Sequence, residues 1–289
     1  MLAVACARLC AEVNGVTVSA LYFVPVASWR ICFVPRFFMV GAPMTRLGIF
    51  SDVHGNLQAF EAVLAAMAED GCDMLICCGD TVGYGPQPSE CLAIIREREI
   101  PCVMGNHDHY MTMLMDPRLE KMRPDVRQSI EWTQGVLSMD DLKWLATLPM
   151  RLDVEDFDMS FVHGGFGPKH WLYCTTRATF MKNFQHQDVR LGFCGHSHVP
   201  ALGFYREGEQ PSVKHFRETA LPEADLIMVN VGSVGQPRDQ DPRASYVLFD
   251  IEEEIISNRR VPYDIEKVQA LIRESELPER CAERLGTGK

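Results

Sequence analysis

Five short stretches place Asp and His beside Gly or Asn directly after an apolar run: Asp52-Val53-His54, Gly79-Asp80, Gly105-Asn106-His107-Asp108, His163-Gly164 and Gly195-His196-Ser197-His198. Taken singly each is weak, because a capping Asp, a surface His and a Gly-Asp turn are all common. The set is more informative. Five of the nine histidines fall in these stretches, a clustering that ordinary surface or core histidines have no reason to show. Imidazole and carboxylate donors without thiolate suit a metal site for Mn, Fe, Zn, Co or Ni. Gly105 is expected to permit a tight turn that presents Asn106 and His107.

The elements that must position these residues are legible from periodicity. Leu47 to Phe50 reads as a strand. Asn56 then caps a helix striped by Leu57, Phe60, Leu64 and Met67 and stopped by Gly71. Met74 to Cys78 is the next strand, followed by a loop with Gly83, Gly85 and Pro86, a helix from about Ser89 to Glu99, and a third strand at about Pro101 to Met104. Strands alternating with helices predict a parallel, buried sheet with the site at its carboxyl ends. Asp125 to Leu148 is helical, with a second start at Met139-Asp140-Asp141. Closely spaced strands then follow at 151–154, 159–162, 189–194, 201–205, 213–216, 226–229, 245–250 and 254–258, which predicts a second, largely antiparallel or mixed sheet. A last helix is capped by Asp264 and striped by Ile265, Val268 and Ile272.

Composition narrows the function classes. With 47% hydrophobic and 23% charged residues among 289, the chain can build a sizeable core. A net charge of -11 argues against stable binding to nucleic acid or to anionic membrane, both of which need clustered Lys and Arg. The eleven cysteines are irregularly spaced and form no CxxC pair, and Cys77, Cys78, Cys102 and Cys194 lie inside apolar runs. They read as small hydrophobes in a reducing cytoplasm rather than as disulfides or zinc ligands.

Residues 1–43 differ from the rest: four charged side chains, apolar runs broken by Pro25, Pro35 and Pro43, and no sustained period. The uncharged run Val16 to Trp29 is shorter than the ~18 to 20 residues that a spanning helix needs and contains Pro25. The expectation is an extension that precedes a translation start at Met39 or Met44, followed by one domain over 44–289.

The order Asp-x-His, Gly-Asp, Gly-Asn-His-Asp, His-Gly and Gly-His-x-His resembles the calcineurin-like metallophosphoesterase superfamily over Met44 to the end. The Gly79-to-Pro86 loop and the stretch Asn230-Val231-Gly232-Ser233-Val234-Gly235-Gln236-Pro237-Arg238 are similar to its small bacterial phosphodiesterase branch. The resemblance implies an α/β, two-sheet αββα-type sandwich with a dinuclear metal site at the carboxyl ends of the strands. It further implies that Asp52, His54 and His198 hold one metal, that Asn106, His163 and His196 hold the second, and that Asp80 bridges both. A shared carboxylate lets two dications sit ~3.5 to 4 Å apart, where they activate a bridging hydroxide and neutralise phosphate oxygens. Manganese leads the candidate ions. His107, left over after ligand assignment, is implied to be the general acid near the leaving group.

The implied activity is hydrolysis of small phosphate esters. The protein-phosphatase branch, by resemblance, carries Asp and Arg three and four positions after the bridging Asp, where this chain has Gly83 and Tyr84. A protein phosphatase or a dinucleoside polyphosphate hydrolase is therefore the second reading, and a binding scaffold with impaired ligands the third. Asn106 and Arg238 are the candidate substrate contacts, although Arg238 has Asp239 and Asp241 close by as ion-pair partners. Asp108 is a candidate to orient His107, Asn56 reads as a helix cap and Ser233 as part of a turn rather than a nucleophile. Motif spacing leaves no room for a cap domain, which implies an open pocket.

Overall fold

A computed structural model describes residues 46–113 and 119–289 in full, together with the backbone of 7–13 and 16–22. In the N-terminal segment, β1 (Ala7–Val13) and β2 (Val16–Tyr22) pair antiparallel as a separate sheet. The expected starts at Met39 and Met44 lie outside the described residues.

The domain begins with β3 (Arg46–Phe50), where Leu47 and Ile49 face one side of the sheet and Phe50 the other. Asn56 caps α1 (Leu57–Glu69), its Oδ1 accepting the Ala59 N–H at 3.1 Å, and Gly71 ends it at a positive φ of 67°. β4 (Met74–Cys77) returns parallel to β3, and α2 (Pro88–Glu97) follows. The strand expected at 101–104 is reduced to one bridge, Cys77 to Cys102. Pro101 has no N–H to give, and the Met104 N–H has left the sheet for the Pro149 carbonyl at 2.7 Å. The second helix start expected at Met139 is present: α4 (Pro124–Val136) and α5 (Met139–Leu145) are separated by Ser138, which caps the second.

The second half holds β5 (Arg151–Val154), β6 (Met159–Val162), α6 (Arg177–Phe184), β7 (Leu191–Cys194), β8 (Ala201–Tyr205), β9 (Ser212–Lys214), β10 (Glu218–Ala220) and β11 (Leu226–Asn230). It closes with β12 (Ala244–Asp250), β13 (Ile255–Val261), α7 (Ile265–Glu274) and α8 (Glu279–Leu285). One mixed sheet runs β5-β6-β7-β11-β8-β9, the other β10-β13-β12-β3-β4. The first half therefore does not build a parallel sheet alone. β12 pairs antiparallel with β3, and β13 and β10 extend that edge. β12 is buried from Ala244 to Phe249, as a central strand covered on both faces must be.

Two sheets pack face to face through Leu47, Ile49, Val247 and Phe249 on one side and Phe161, Phe193, Ile227 and Val229 on the other. Helices α1, α2, α4 and α5 cover the outer face of the β3 sheet, and α6 covers the other. The result is the αββα sandwich. Phe193 lies 5.2 Å from Phe161 and 5.7 Å from Phe249 of the facing sheet, so it joins the two layers. Phe193→Ala is expected to lower stability by about 3–5 kcal/mol in urea unfolding; a loss below about 1 kcal/mol would show that the layers do not depend on this contact.

Candidate metal centre

All five motif stretches converge where the strands end, and all their Asp, Asn and His side chains are buried. Asp52, His54 and His198 form one cluster. His198 Nε2 lies 3.1 Å from Asp52 Oδ1 and 3.3 Å from His54 Nε2. Asp80, His163 and His196 form the other, with His163 Nε2 3.2 Å from Asp80 Oδ2, 3.1 Å from His196 Nδ1 and 3.1 Å from Asn106 Oδ1. Asp80 Oδ2 is also 3.7 Å from His54 Nε2, so this one carboxylate faces both clusters.

The second nitrogen of three histidines fixes which face is a lone pair. His54 Nδ1 faces the Val82 carbonyl at 3.0 Å, His163 Nδ1 the Cys78 carbonyl at 2.8 Å, and His198 Nδ1 the Gln236 carbonyl at 2.6 Å. A carbonyl only accepts, so each Nδ1 donates. In the neutral ring Nε2 then offers its lone pair to the centre. Asp52 and Asp80 are held in the same way: Asp52 Oδ2 accepts the His196 N–H at 2.9 Å and Asp80 Oδ1 the His107 N–H at 2.7 Å. Their other oxygens, Asp52 Oδ1 and Asp80 Oδ2, are buried without a hydrogen bond. Orphaned buried acceptors of this kind are rare unless a cation meets them. The nitrogen and oxygen donors therefore fit two divalent ions.

Presenting the donors strains the backbone. Asp52, His54, Asp80, Tyr84, His196 and His198 are six of the ten non-glycine residues with positive φ among the described residues. Such conformations are unfavourable for L-residues and persist where surrounding contacts over-determine them. Ser233 is one such contact: its Oγ donates to the Asp52 carbonyl and accepts the Gln236 N–H, both at 2.9 Å, as a turn residue should. Asn56 Nδ2 reaches across to the Gly235 carbonyl at 2.9 Å. Gly105, expected at a turn, has an extended backbone at φ -90°, ψ 174° and starts α3 (Asn106–Met111). Its small size matters instead, because an added Cβ would lie 2.1 Å from Asp80 Oδ1.

Asp108 does not orient His107. Its Oδ2 accepts the N–H groups of Asp80 (2.7 Å) and Gly105 (2.9 Å), and its Oδ1 that of Thr81 (3.0 Å). It ties the loop carrying Asp80 to the turn carrying His107. Burial, then the Asp80 charge, pushes Asp108 up to about 6 against the pull of those donors. The position facing His107 is Gly83, where an added Cβ would sit 2.5 Å from Nδ1; that nitrogen is buried without a partner. Tyr84 instead packs its ring 4.4 Å from His107 and 4.8 Å from His54.

Two features were not legible in the motifs. Tyr173, half exposed, packs 4.0 Å from His196, and Trp171 lies 5.8 Å from His163, so an aromatic shelf borders the second cluster. The pocket is also less open than the spacing implies, because α7 and α8 pack their apolar residues against Tyr84. Asp239 and Asp241 are occupied by Arg260 and Arg243, which leaves Arg238 bonded to Gln236 Oε1 at 2.9 Å and lying over Tyr84 at 6.0 Å.

Two buried carboxylate oxygens and a set of imidazoles shared by one Asp, at the end of a two-sheet sandwich, define a metal-dependent hydrolase. The profile of the calcineurin-like phosphoesterase superfamily domain matches residues 45–254, and the chain belongs to that family. It is a metallophosphoesterase. A metallophosphoesterase from Sphaerobacter thermophilus superimposes with a TM-score of 0.73 at 36% identity, covering 86% of this chain and 100% of its own. An uncharacterised protein of Methanocaldococcus jannaschii is 35% identical over 247 residues, 84% of this chain and 98% of its own length. A hypothetical protein from Pyrococcus horikoshii shares the fold, with a TM-score of 0.68 at 18% identity over 85% of this chain and 99% of that one. No helix among the described residues is long and apolar enough to cross a membrane.

Two outcomes test this geometry. In Asp108→Asn the amide NH2 faces backbone N–H groups, and stability should fall by about 2–5 kcal/mol; an unchanged urea midpoint would remove Asp108 from the clamp. The second is a pH profile of the metal-free protein. Burial opposes charge on His163, but Asp80 and Asp52 outweigh it and raise the group to about 10, so its contribution is full below pH 6.5 and lost as pH rises through 10. Burial lowers His196 to about 3 and His198 to about 4, so their neutral forms favour folding above pH 6.5 and lose that advantage as pH falls. Stability should peak near pH 6.5, and a steady rise from pH 6.5 to 9 would contradict the assignment.

Proposed function

We propose that the protein is a metal-dependent phosphodiesterase of the small bacterial branch, acting on small phosphate esters with manganese as its working ion. The observation that carries this reading is the sharing of Asp80 between two buried donor clusters. On it, Asp52, His54 and His198 hold one ion, Asn106, His163 and His196 the second, and Asp80 both. When bound, the ions supply Lewis acidity toward the phosphate oxygens and acidify the attacking water.

His107 is the residue left to protonate the leaving oxygen. Burial, then the fields of His54, Arg238 and His198 set against Asp80, holds it well below the ordinary histidine range, so the ring is neutral near pH 7 without substrate. The proton donor is the imidazolium form, and an arriving phosphate anion offsets the cationic fields, raises the ring's basicity and favours that form. Asn106 turns its Oδ1 to His163, which leaves its NH2 for a substrate oxygen. Arg238 supplies the cation on the His198 side, where its own N–H donates to the His198 carbonyl at 3.1 Å. Gly83 and Tyr84, in place of the Asp and Arg of protein phosphatases, argue against the phosphatase and dinucleoside polyphosphate hydrolase readings. The complete donor set argues against a binding scaffold. The buried free cysteines support a reducing, cytoplasmic setting, and the charge of -11 weighs against stable nucleic-acid binding.

Protein stripped with chelator and reloaded with Mn is expected to hydrolyse bis(p-nitrophenyl) phosphate; inactivity with Mn, Fe, Zn, Co and Ni alike would defeat the proposal. His107→Gln should retain both ions and lose ~10²- to 10⁴-fold in kcat on alkyl esters but far less on nitrophenyl esters, whose leaving group needs no proton. Equal losses on the two would exclude His107 as the acid.

A further inference from the structure

Two aromatic rings stand at the metal centre without belonging to the core. The run His170-Trp171-Leu172-Tyr173-Cys174 lies between His163 and α6, and its residues alternate in what they touch. Leu172 and Cys174 pack into the apolar cluster that holds Phe180 and Phe184 of α6. Trp171 and Tyr173 join none of the apolar clusters among the described residues and instead meet the imidazoles of the second donor set. The Tyr173 ring lies 4.0 Å from that of His196 at an interplanar angle of 31°, yet Tyr173 stays 50% exposed. Trp171, half-buried, stands edge-on to His163 at 5.8 Å and 6.5 Å from His196.

The segment that carries both rings is fixed. The His170 carbonyl accepts the Gly165 N–H at 3.0 Å, and the Cys174 thiol donates to the Gly164 carbonyl at 3.5 Å. An added Cβ on Gly164 would collide with the His170 carbonyl oxygen, so the close approach depends on that glycine. Exposure singles out one of the two rings. Val136, Met139 and Tyr173 are the exposed large hydrophobic residues among those described, and of these Tyr173 alone packs on a candidate metal ligand. A ring placed only to keep water from His196 belongs among the buried aromatics, whereas Tyr173 leaves half its surface uncovered.

We propose that Tyr173, backed by Trp171, is a stacking platform for a planar ring carried by the phosphate ester, so that the substrates are aryl or nucleoside esters rather than esters of small aliphatic alcohols. This rests on the phosphate-ester reading above. A phosphate bound at the second donor set brings its ester group beside His196, the residue on which Tyr173 lies. Stacking needs a flat π face and no particular hydrogen-bond pattern, which is what an exposed ring on a rigid segment offers. Because the segment is already tied down, little ordering cost is set against the contact.

Calorimetric titration of phosphonates into manganese-loaded protein at fixed excess free metal tests the platform without turnover, since a C–P bond is not an ester. Phenylphosphonate should bind at least ~10-fold more tightly than methylphosphonate, the size of effect expected of one stacked ring. The ratio should persist in Tyr173→Phe and fall below about 3-fold in Tyr173→Leu, which keeps an apolar cover without a ring. Thermal melts of the same samples identify a variant that has lost its fold, and Tyr173→Gln then carries the comparison. AMP against ribose 5-phosphate repeats the measurement with a nucleobase: a ratio of similar size assigns nucleoside esters, and a ratio near one with the phenyl preference intact assigns simple aryl esters. Equal affinities within both pairs, no binding of any of the four, or a preference that survives Tyr173→Leu would overturn the platform. A ring preference without turnover of bis(p-nitrophenyl) phosphate would count against the phosphodiesterase reading alone, and turnover without a ring preference against the platform alone.

Discussion

Buried charge without a partner is the constraint from which the rest of this structure follows. Asp52 and Asp80 each keep one oxygen satisfied by a backbone N–H and turn the other, unpaired, toward a cluster of imidazoles that water does not reach. Such an arrangement is unfavourable in isolation and is held because every neighbouring atom is fixed. Backbone carbonyls of Cys78, Val82 and Gln236 set the histidine rings, and Ser233 and Asp108 pin the loops that carry the carboxylates. The strain of six left-handed backbone positions is supported by the sandwich beneath them.

The two sheets explain why that support is rigid. Motif loops leave the carboxyl ends of β3, β4, β6 and β7, parallel strands in the middle of their sheets or against a central partner. Strand β12, supplied from late in the chain, completes the first sheet on the far side of β3. The same late segment brings Gly235, Gln236 and Arg238 to the first cluster, so the site closes only when the sequence-distant halves have joined. Helices α7 and α8 then wall one side through Tyr84, while Trp171 and Tyr173 border the other.

The sequence by itself determined which Asp, Asn and His side chains follow apolar runs and the two-sheet class of the fold. Asp52, His54, Asp80, Asn106, His163, His196 and His198 follow apolar runs, and local rules of strand periodicity and helix capping are enough to put each at a strand end. Those rules work because they depend on neighbours within a few residues. They fail where the partner is remote. Pro101 to Met104 has a strand's composition but only one ladder position, because its next N–H is taken by Pro149. β12 and β13 look like further members of the second sheet, yet β12 is hydrogen-bonded to β3. Asp108 sits next to His107 in sequence and serves the N–H groups of a loop 27 residues away. Whether Arg238 pairs with Asp239 depends on how Arg260 and Arg243 pack. Tertiary structure decided these matters, since charge pairing and strand order are competitions among all groups that folding brings within a few ångströms, and a linear sequence does not say which groups those are.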